Sequence, residues 1–208
     1  MAYVPGKTHD VFISYARVDD VPGPNDHDKG WVSWFVTYLE VELRRRLGGT
    51  TELRVFFDRR DLQSNQQLAE LETAARQSAV FVAIASPAYA QRPWTQRELA
   101  AFVKEARDLH RLFAVECLPL DDGETYPEPL QNHVRQKLWK LNQTNSRTPV
   151  SLSPNSDGEL FRQNVQDVAN QIRGMLKTMQ ASPPDPTSSS FFLSHRLRNR
   201  TGRPGGFC

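Results

Sequence analysis

The sequence predicts a single-domain α/β protein in which helices cover both faces of a parallel sheet. Short runs of β-branched and aromatic residues alternate with longer segments of helical period, and this alternation is typical of parallel sheets. The run AVFVAIA at 79–85 is apolar on both faces, which indicates a strand at the centre of the sheet. The length of 208 residues suits one domain with a short appendage.

The first half of the chain predicts two strands and two helices in alternation. The strands are expected at 10–15 (DVFISY) and 53–58 (LRVFFD), both rich in strand-forming residues. Between them, apolar residues recur every four positions and predict an amphipathic helix that ends at Gly48 and Gly49. These apolar residues are Trp31, Phe35, Leu39, Leu43 and Leu47. A second helix is expected at about 67–77, after a polar loop.

The second half begins with the central strand and becomes less regular towards its end. The heptapeptide PWTQREL at 93–99 is expected to start a helix that continues to about Asp108. The run RLFAVECL at 111–118 predicts a fourth strand. A short edge strand is predicted near Val150, and a last amphipathic helix at 159–179.

The composition changes abruptly near the end of the sequence. Residues 8–178 contain the alternating pattern and are predicted to form the domain. The segment 179–208 is rich in Pro, Ser, Arg and Gly without periodicity, which predicts a disordered tail.

Composition also limits the partners and the compartment that we expect. A formal net charge of +2 is too small to indicate nucleic acid or an anionic membrane as a partner. Cys117 and Cys208 are the two cysteines, so no disulfide or zinc framework is predicted and a reducing compartment fits. The sequence starts without the pattern of a leader peptide, and no apolar run reaches the ~20 residues that span a bilayer. We therefore expect a cytoplasmic protein.

Polar and aromatic side chains follow the first and third predicted strands. Ligands of an open parallel sheet bind outside the carboxyl ends of the strands where the winding reverses, which for the order 2-1-3-4-5 lies between strands one and three. The residues expected there are Ser14, Tyr15, Ala16 and Arg17 after strand one, and Ser86, Tyr89, Arg92, Trp94 and Glu98 after strand three. An aromatic ring, a guanidinium and a carboxylate in one crevice suit a ligand with a planar ring, phosphates and developing positive charge.

Other nucleotide-binding and catalytic classes lack their motifs in this sequence. Neither the dinucleotide-binding G-x-G-x-x-G nor the phosphate-binding G-x-x-x-x-G-K-[ST] occurs. The strand ends have Ser-Tyr and Ser-Pro in place of the acidic residues of a phosphate-accepting receiver domain. The five histidines lie in no catalytic motif, and no cluster of His, Cys, Asp and Glu has metal-ligand spacing. We therefore predict no metal site.

Three stretches of the sequence resemble the successive signatures of Toll/interleukin-1 receptor (TIR) domains. They are HDVFISYAR, LRVFFDRRDL and ASPAYAQRPWTQREL, in the order and spacing of the bacterial members, and the likeness extends from Thr8 to Lys177. The resemblance implies a flavodoxin-like fold with a doubly wound five-stranded parallel sheet in the order 2-1-3-4-5. As in many bacterial and plant members, it also implies hydrolysis of NAD to nicotinamide and ADP-ribose or a cyclised form, with NAD as substrate and no cofactor. Other members are non-catalytic adaptors that assemble through the loop after strand two.

The resemblance assigns roles to particular residues. The family's catalytic glutamate corresponds to Glu98, in the pattern W-x-x-x-E. The implied substrate contacts are Tyr15, Ala16, Arg17, Gln63 and Trp94, with Gln63 in the loop 58–66 after strand two. The sequence departs from the family at Ser64 and Asn65, where a Pro-Gly pair is common, although Asn tolerates a left-handed backbone. One enzymatic relative has an acidic residue at the position of Gln63 and an arginine at that of Ala16.

Glu98 has two competing interpretations. Thr95-x-x-Glu98 fits a capping box, with Trp94 and Leu99 at the positions of a hydrophobic staple. In that case the carboxylate points back to its own helix N-terminus. In the second interpretation it points across the crevice towards Tyr15 and faces the substrate.

These observations give a leading hypothesis and two alternatives. The leading hypothesis is an NAD glycohydrolase that is activated by self-association with other TIR domains and serves bacterial defence. A single carboxylate can stabilise the oxocarbenium-like transition state, because nicotinamide leaves as a neutral molecule and needs no acid. The first alternative is a non-catalytic TIR interaction module or effector, and the second is a nucleotide-binding sensor without chemistry.

Overall fold

The computed structural model describes residues 1–23, 29–49, 52–58, 65–106, 108–142 and 148–181. Within them, five strands form the main sheet in the order β2-β1-β3-β4-β5. The strands are β1 (His9–Ser14), β2 (Val55–Phe56), β3 (Ser78–Ala85), β4 (Leu112–Glu116) and β5 (Arg135–Lys137). Every neighbouring pair is parallel. The predicted α/β class and strand order are therefore confirmed.

Helices cover both faces of this sheet. They are α1 (Trp31–Arg46), α2 (Asn65–Arg76), α3 (Pro87–Gln91), α4 (Pro93–Ala106) and α5 (Gly158–Ala181). The buried residues of α1 and α5 share one hydrophobic core, and those of α2 and α4 share another. The sheet separates these two cores, as expected for a doubly wound fold.

The central strand β3 is buried along its whole length because its side chains alternate between the two cores. Val80, Val82 and Ile84 belong to the core beneath α1 and α5. Phe81 belongs to the core beneath α2 and α4, where its ring stacks on that of Phe12 at 5.3 Å between centroids. This pattern explains why the sequence of β3 contains no polar face.

The first predicted helix is confirmed together with its end. α1 stops at Arg46, and Gly48 and Gly49 follow with φ angles of 83° and 75°. The Gly49 N–H donates to the carbonyl of Arg44 at 2.8 Å and satisfies one of the free carbonyls at the helix end. Glycine adopts this left-handed conformation without the steric cost of a Cβ atom.

Strand β2 is shorter than the predicted strand 53–58. It has two residues, because a backbone N–H before it and a backbone carbonyl after it bind side chains of β1 and of the residue that follows β1. The Arg54 N–H donates to Oδ2 of the buried Asp10 at 2.8 Å. The carbonyl of Asp58 accepts a hydrogen bond from the Tyr15 hydroxyl at 2.7 Å. These side-chain hydrogen bonds replace the backbone hydrogen bonds of a longer strand, so these two backbone groups are not left unpaired.

The region after β4 differs most from the prediction. β5 has no counterpart among the predicted strands, since its sequence RQK is polar and no apolar pattern marks an edge strand of this kind. The strand predicted near Val150 exists as β7 (Pro149–Ser151), but it does not join the main sheet. It pairs antiparallel with β6 (Trp139–Leu141) in a separate two-stranded sheet.

The last helix is longer than predicted. α5 extends to Ala181, so 179–181 are helical although the sequence assigns them to the tail. Residues 182–208 lie outside the described residues, and their disorder stays a prediction. In the part of the chain that the structure describes, no helix is long and apolar enough to cross a membrane.

Candidate active site

A crevice lies at the carboxyl end of β1, where the winding of the sheet reverses. β1, β2, α2 and α4 all contribute to its walls. The lining residues are Phe12, Ile13, Tyr15, Arg17, Phe56, Asp58, Leu71, Trp94 and Glu98. The space at the crevice is about 310 Å³ when its part open to solvent is included, and the cavity itself has a volume of about 20 Å³. The structure therefore places the crevice where the topology predicts it and shows it to be narrow.

Helix α4 begins at Pro93, three residues earlier than a capping box at Thr95 would require. Proline suits the first helical position, because the N–H that it lacks would have no partner within the helix. Thr95 lies inside the first turn, and its Oγ1 donates to the carbonyls of Tyr89 (2.9 Å) and Arg92 (2.8 Å). The hydroxyl thus satisfies carbonyls that precede the helix and does not accept from an N–H of α4. The capping-box interpretation is wrong.

The Glu98 carboxylate points across the crevice to β1. Its Oε2 accepts a hydrogen bond of 2.6 Å from Oγ of Ser14, the last residue of that strand. The Ser14 Oγ lies 3.2 Å from the hydroxyl of Tyr89 on α3. All three side chains are buried, and Glu98 is 5% exposed. The orientation agrees with the second interpretation of Glu98, in which the carboxylate faces the crevice.

Burial raises the pKa of Glu98 to about 7. The hydrogen bond from Ser14 opposes this rise because it stabilises the ionised form, and so does the positive charge of Arg17. The negative charges of Asp58 and Glu72 raise the pKa further. At neutral pH the carboxyl is therefore about half ionised. A strongly perturbed acid in a crevice is typical of functional sites.

Four of the six residues that the sequence assigns to the site line the crevice: Tyr15, Arg17, Trp94 and Glu98. Ala16 is fully buried and its side chain does not line the crevice. Gln63 lies outside the described residues, as does most of the loop after β2. The contacts of Ala16 and Gln63 with a substrate stay predictions.

The aromatic residues form two walls of the crevice. The Tyr15 ring packs at 5.1 Å from that of Phe57, and its hydroxyl donates to the carbonyl of Asp58, so β1 and the end of β2 are joined at this point. Trp94 is half-buried on the first turn of α4. The Arg92 guanidinium lies 5.2 Å from the centroid of the Trp94 ring, within the range of a cation–π contact.

The turn after β1 holds Arg17 in place. This 3-10 turn runs over Arg17–Asp20, and both of its acidic residues are bound. Asp19 accepts a hydrogen bond of 2.6 Å from Oγ of Ser86, and burial raises the pKa of Asp19 to about 6. Asp20 accepts from the backbone N–H (2.6 Å) and the hydroxyl (2.7 Å) of Ser33 in the first turn of α1. The turn is thereby attached to the start of α3, directly after β3, and to α1.

The sequence places Ser14 at the crevice without a contact to Glu98, and it gives no role to Asp58 or Leu71. A signal for the orientation of Ser14 was available, because residues two apart on a strand share a face. Phe12 belongs to the core beneath α2 and α4, so Ser14 on β1 must point towards α4 as well. No local pattern indicates Asp58 or Leu71, because β2 and α2 reach the crevice only through the tertiary fold.

The crevice is lined by two carboxyl residues, the buried Glu98 and the half-buried Asp58, together with a guanidinium and an indole. Among the described residues, no group of three His, Cys, Asp or Glu side chains is placed to hold a metal ion. A partly desolvated carboxylate interacts more strongly with a nearby positive charge than it would in water. The crevice is therefore suited to stabilising a cation.

Comparison with known proteins identifies the family. The model of the TIR domain family matches residues 11–148. No curated protein matches the chain. Among solved structures, the chain is similar to the TIR domain of the Toll-related receptor TRR-2 from Hydra magnipapillata, with 16% identity over 78% of this chain and 99% of that chain and a TM-score of 0.42. It is also similar to the TIR domains of the activated Roq1 resistosome, which directly recognises the pathogen effector XopQ, with 18% identity over 83% of this chain and 84% of that chain and a TM-score of 0.34.

The family assignment depends on the matched length and on the sheet order. The match covers more than half of the chain and includes most of β1, all of β2 to β6, and Glu98. The strand order β2-β1-β3-β4-β5 is the one that the resemblance to TIR domains implies. The chain belongs to the TIR domain family.

Proposed function

We propose that this chain is an NAD glycohydrolase in which the Glu98 carboxylate promotes the release of nicotinamide. The observation that supports the proposal most directly is the carboxylate itself, which Ser14 holds in a buried position at the switch-point crevice. Arg17 and Trp94 line the same crevice. The TIR family includes members that hydrolyse NAD, and the resemblance in the pattern W-x-x-x-E implies that Glu98 corresponds to their catalytic glutamate.

The proposed reaction breaks the bond between C1′ of the ribose and the pyridinium nitrogen. The electron pair of that bond goes to the ring nitrogen, so nicotinamide leaves as a neutral molecule without protonation. Positive charge develops on the ribose, and a carboxylate in a site of low dielectric stabilises it. A water molecule then attacks C1′ and loses a proton, which gives ADP-ribose and one proton. Glycosidases commonly use a second carboxyl group to protonate the leaving oxygen, and this leaving group has no such need.

The other crevice residues have roles that follow from their chemistry. The Arg17 guanidinium matches the geometry of a pyrophosphate and would anchor it by charge-assisted hydrogen bonds. The indole of Trp94 offers a flat apolar surface to the nicotinamide ring. The Tyr15 ring forms a wall beside the ribose. NAD is the substrate in this scheme, and no cofactor takes part.

The small volume of the crevice supports activation by self-association. A cavity of about 20 Å³ is enough for one water molecule. A ribose with its nicotinamide requires the crevice to widen. We include in the proposal that contacts with other TIR domains provide the free energy for this widening. The same small volume favours a second candidate function, in which the chain is a non-catalytic module that binds other TIR domains.

Nicotinamide release separates the two functions. NAD is incubated with the wild type over a range of protein concentrations, and the products are separated by chromatography. The glycohydrolase proposal expects nicotinamide, with a specific activity that rises with protein concentration. Glu98→Gln should lower the rate at least about a hundredfold. Glu105→Gln on the exposed face of the same helix is the matched control and should retain wild-type activity. No nicotinamide from the wild type at any concentration would favour the interaction module.

The biological part of the proposal has a separate test. We expect the protein to act in the cytoplasm and to serve antiviral defence in bacteria by depleting NAD. Cells that express the wild type should lose NAD during phage infection, and cells that express Glu98→Gln should not. Equal NAD levels in the two strains would contradict this role.

A further inference from the structure

Three buried polar side chains from three different elements meet behind the crevice. Ser14 ends β1, Tyr89 lies on α3, and Glu98 lies on α4. The Ser14 hydroxyl is 2.6 Å from Oε2 of Glu98 and 3.2 Å from the hydroxyl of Tyr89. Ser14 is 1% exposed and Tyr89 is fully buried, so neither has access to bulk water. Each of these polar groups must find its partner within the cluster.

The donors and acceptors of the cluster fit in one way when Glu98 is ionised. A carboxylate accepts hydrogen bonds and donates none, so the Ser14 hydroxyl must donate to Oε2. The oxygen of Ser14 is then an acceptor for the hydroxyl of Tyr89, which stays neutral because burial raises its pKa. The hydrogen bonds therefore run from Tyr89 through Ser14 to Glu98. Oε1 of Glu98 receives no hydrogen bond from the described residues.

We propose that Ser14 and Tyr89 are positioning residues, which hold Oε2 of Glu98 so that Oε1 is presented to the ribose of the substrate. This inference rests on the proposed function and deepens it. Neither residue touches the substrate in the proposal. Both act through the carboxylate, because a side chain fixed at one oxygen loses the rotations that would turn the other oxygen away.

The backbone keeps this cluster rigid. Ser14 lies opposite Ala83 in the β1–β3 ladder, at the centre of the sheet. The Tyr89 N–H donates to Oγ of Ser86 at 2.9 Å, and the Tyr89 carbonyl accepts from Oγ1 of Thr95. Because Thr95 is one turn of α4 away from Glu98, Tyr89 is bound both to the start of that helix and, through Ser14, to its carboxylate. The preorganisation that catalysis requires is thus built into the core.

The charged groups around Glu98 determine how the cluster responds to pH. Arg17 follows β1 and favours the ionised carboxylate, as Ser14 does. Asp58 follows β2 and Glu72 lies on α2, and both disfavour it. Glu72 is itself paired with Arg97 on α4 at 2.7 Å, which reduces its effect. Removing the Ser14 hydroxyl while these charges stay in place should raise the pKa of Glu98.

The experiment measures the titration of Glu98 directly and compares it with turnover. The carboxyl carbon of Glu98 is followed by NMR in the full chain and assigned by its absence in Glu98→Gln. The wild-type midpoint is expected near pH 7. Ser14→Ala should raise the midpoint by about one unit, because loss of the hydrogen bond makes ionisation about tenfold weaker. Tyr89→Phe should raise it by less, and Ser14→Thr should restore it. Ser78→Ala removes a buried hydroxyl at the opposite end of β3 and should leave it unchanged.

Turnover gives the second readout. For Ser14→Ala, kcat at pH 7 should fall about fivefold, because the ionised fraction drops from about a half to about a tenth. The loss should disappear above about pH 9, and KM should stay close to the wild-type value. A merely structural role of Ser14 would lower activity at every pH.

The outcomes separate this inference from the proposed function. An unchanged Glu98 midpoint in folded Ser14→Ala overturns the inference, whether or not the wild type cleaves NAD. A wild-type pH profile in that variant, together with turnover that depends on Glu98, overturns it as well. Absence of nicotinamide from the wild type overturns the proposed function, while the NMR titration still decides whether the cluster positions the carboxylate.

Discussion

Replacing Glu98 by Gln should stabilise the folded protein, and the gain should depend on pH. The pKa of Glu98 is about 7 in the fold, against 4.5 for a freely hydrated glutamate. Between these two values the folded state binds more protons than the unfolded state, so the wild type loses stability as the pH rises through this window. One pH unit corresponds to about 1.4 kcal/mol, so the ionised carboxylate costs about 3 kcal/mol above pH 7. Gln fills the same space, can accept the hydrogen bond from Ser14 and does not ionise.

Urea denaturation of both proteins at several pH values measures this effect. The free energy of unfolding of Glu98→Gln should equal that of the wild type below about pH 4.5 and exceed it by about 3 kcal/mol above pH 7. Asp19, whose pKa burial also raises, contributes equally to both proteins and cancels in the difference. Glu105→Gln, at an exposed position on α4, should show no such pH dependence. A difference that is absent at pH 8.5, or that is the same at every pH, would refute the assignment of a desolvated carboxyl to Glu98.

Three further predictions follow from the same geometry. The value of kcat/KM for nicotinamide release should fall about tenfold per pH unit below pH 7 as Glu98 becomes protonated, and a flat profile down to pH 5 would contradict the role of its carboxylate. Arg17→Met should shift this fall in kcat/KM to higher pH, because it removes a positive charge that favours the ionised Glu98. It should also raise KM about tenfold or more, because it removes the proposed pyrophosphate anchor. Phe81→Ala should lower the free energy of unfolding by about 3–5 kcal/mol, because the buried ring packs between Phe12 and Phe102 at 5.3 and 5.1 Å; a loss below about 1 kcal/mol in urea denaturation would show that this core is loosely packed.

The parts of the fold that the sequence predicts well are those with a strong apolar period. β3 is apolar on both faces, and it lies at the centre of the sheet. The four-residue repeat of α1 and the glycines after it predict the helix and its end correctly. β5 escapes prediction because a short polar edge strand is defined by its neighbour β4 and not by its own residues. The short β2 escapes for a related reason, since the Asp10 carboxylate takes a backbone N–H that a longer strand would have paired.

The start of α4 shows the limit of local motifs at the candidate site. The letters T-x-x-E fit a capping box, and nothing in the heptapeptide excludes it. Pro93 takes the first helical position, so the helix starts three residues earlier than the capping box predicts, and Thr95 donates to the carbonyls of Tyr89 and Arg92. Glu98 then faces β1 and pairs with Ser14, a residue 84 positions away in the sequence. A contact at that separation is determined by strand order, which the residues T-x-x-E do not encode.

The two walls of the crevice are anchored differently. The wall of α4 is tied to α3 through Thr95 and to β1 through Glu98, whereas the opposite wall includes an edge strand of only two residues, β2, which side chains of the β1 segment bind on either side. Local unfolding occurs most readily in segments that are held by few backbone hydrogen bonds. Amide hydrogens of β2 should therefore exchange with solvent much faster than those of β1 and β3. Any widening of the crevice for a ligand should begin on the β2 side, while Glu98 keeps its place.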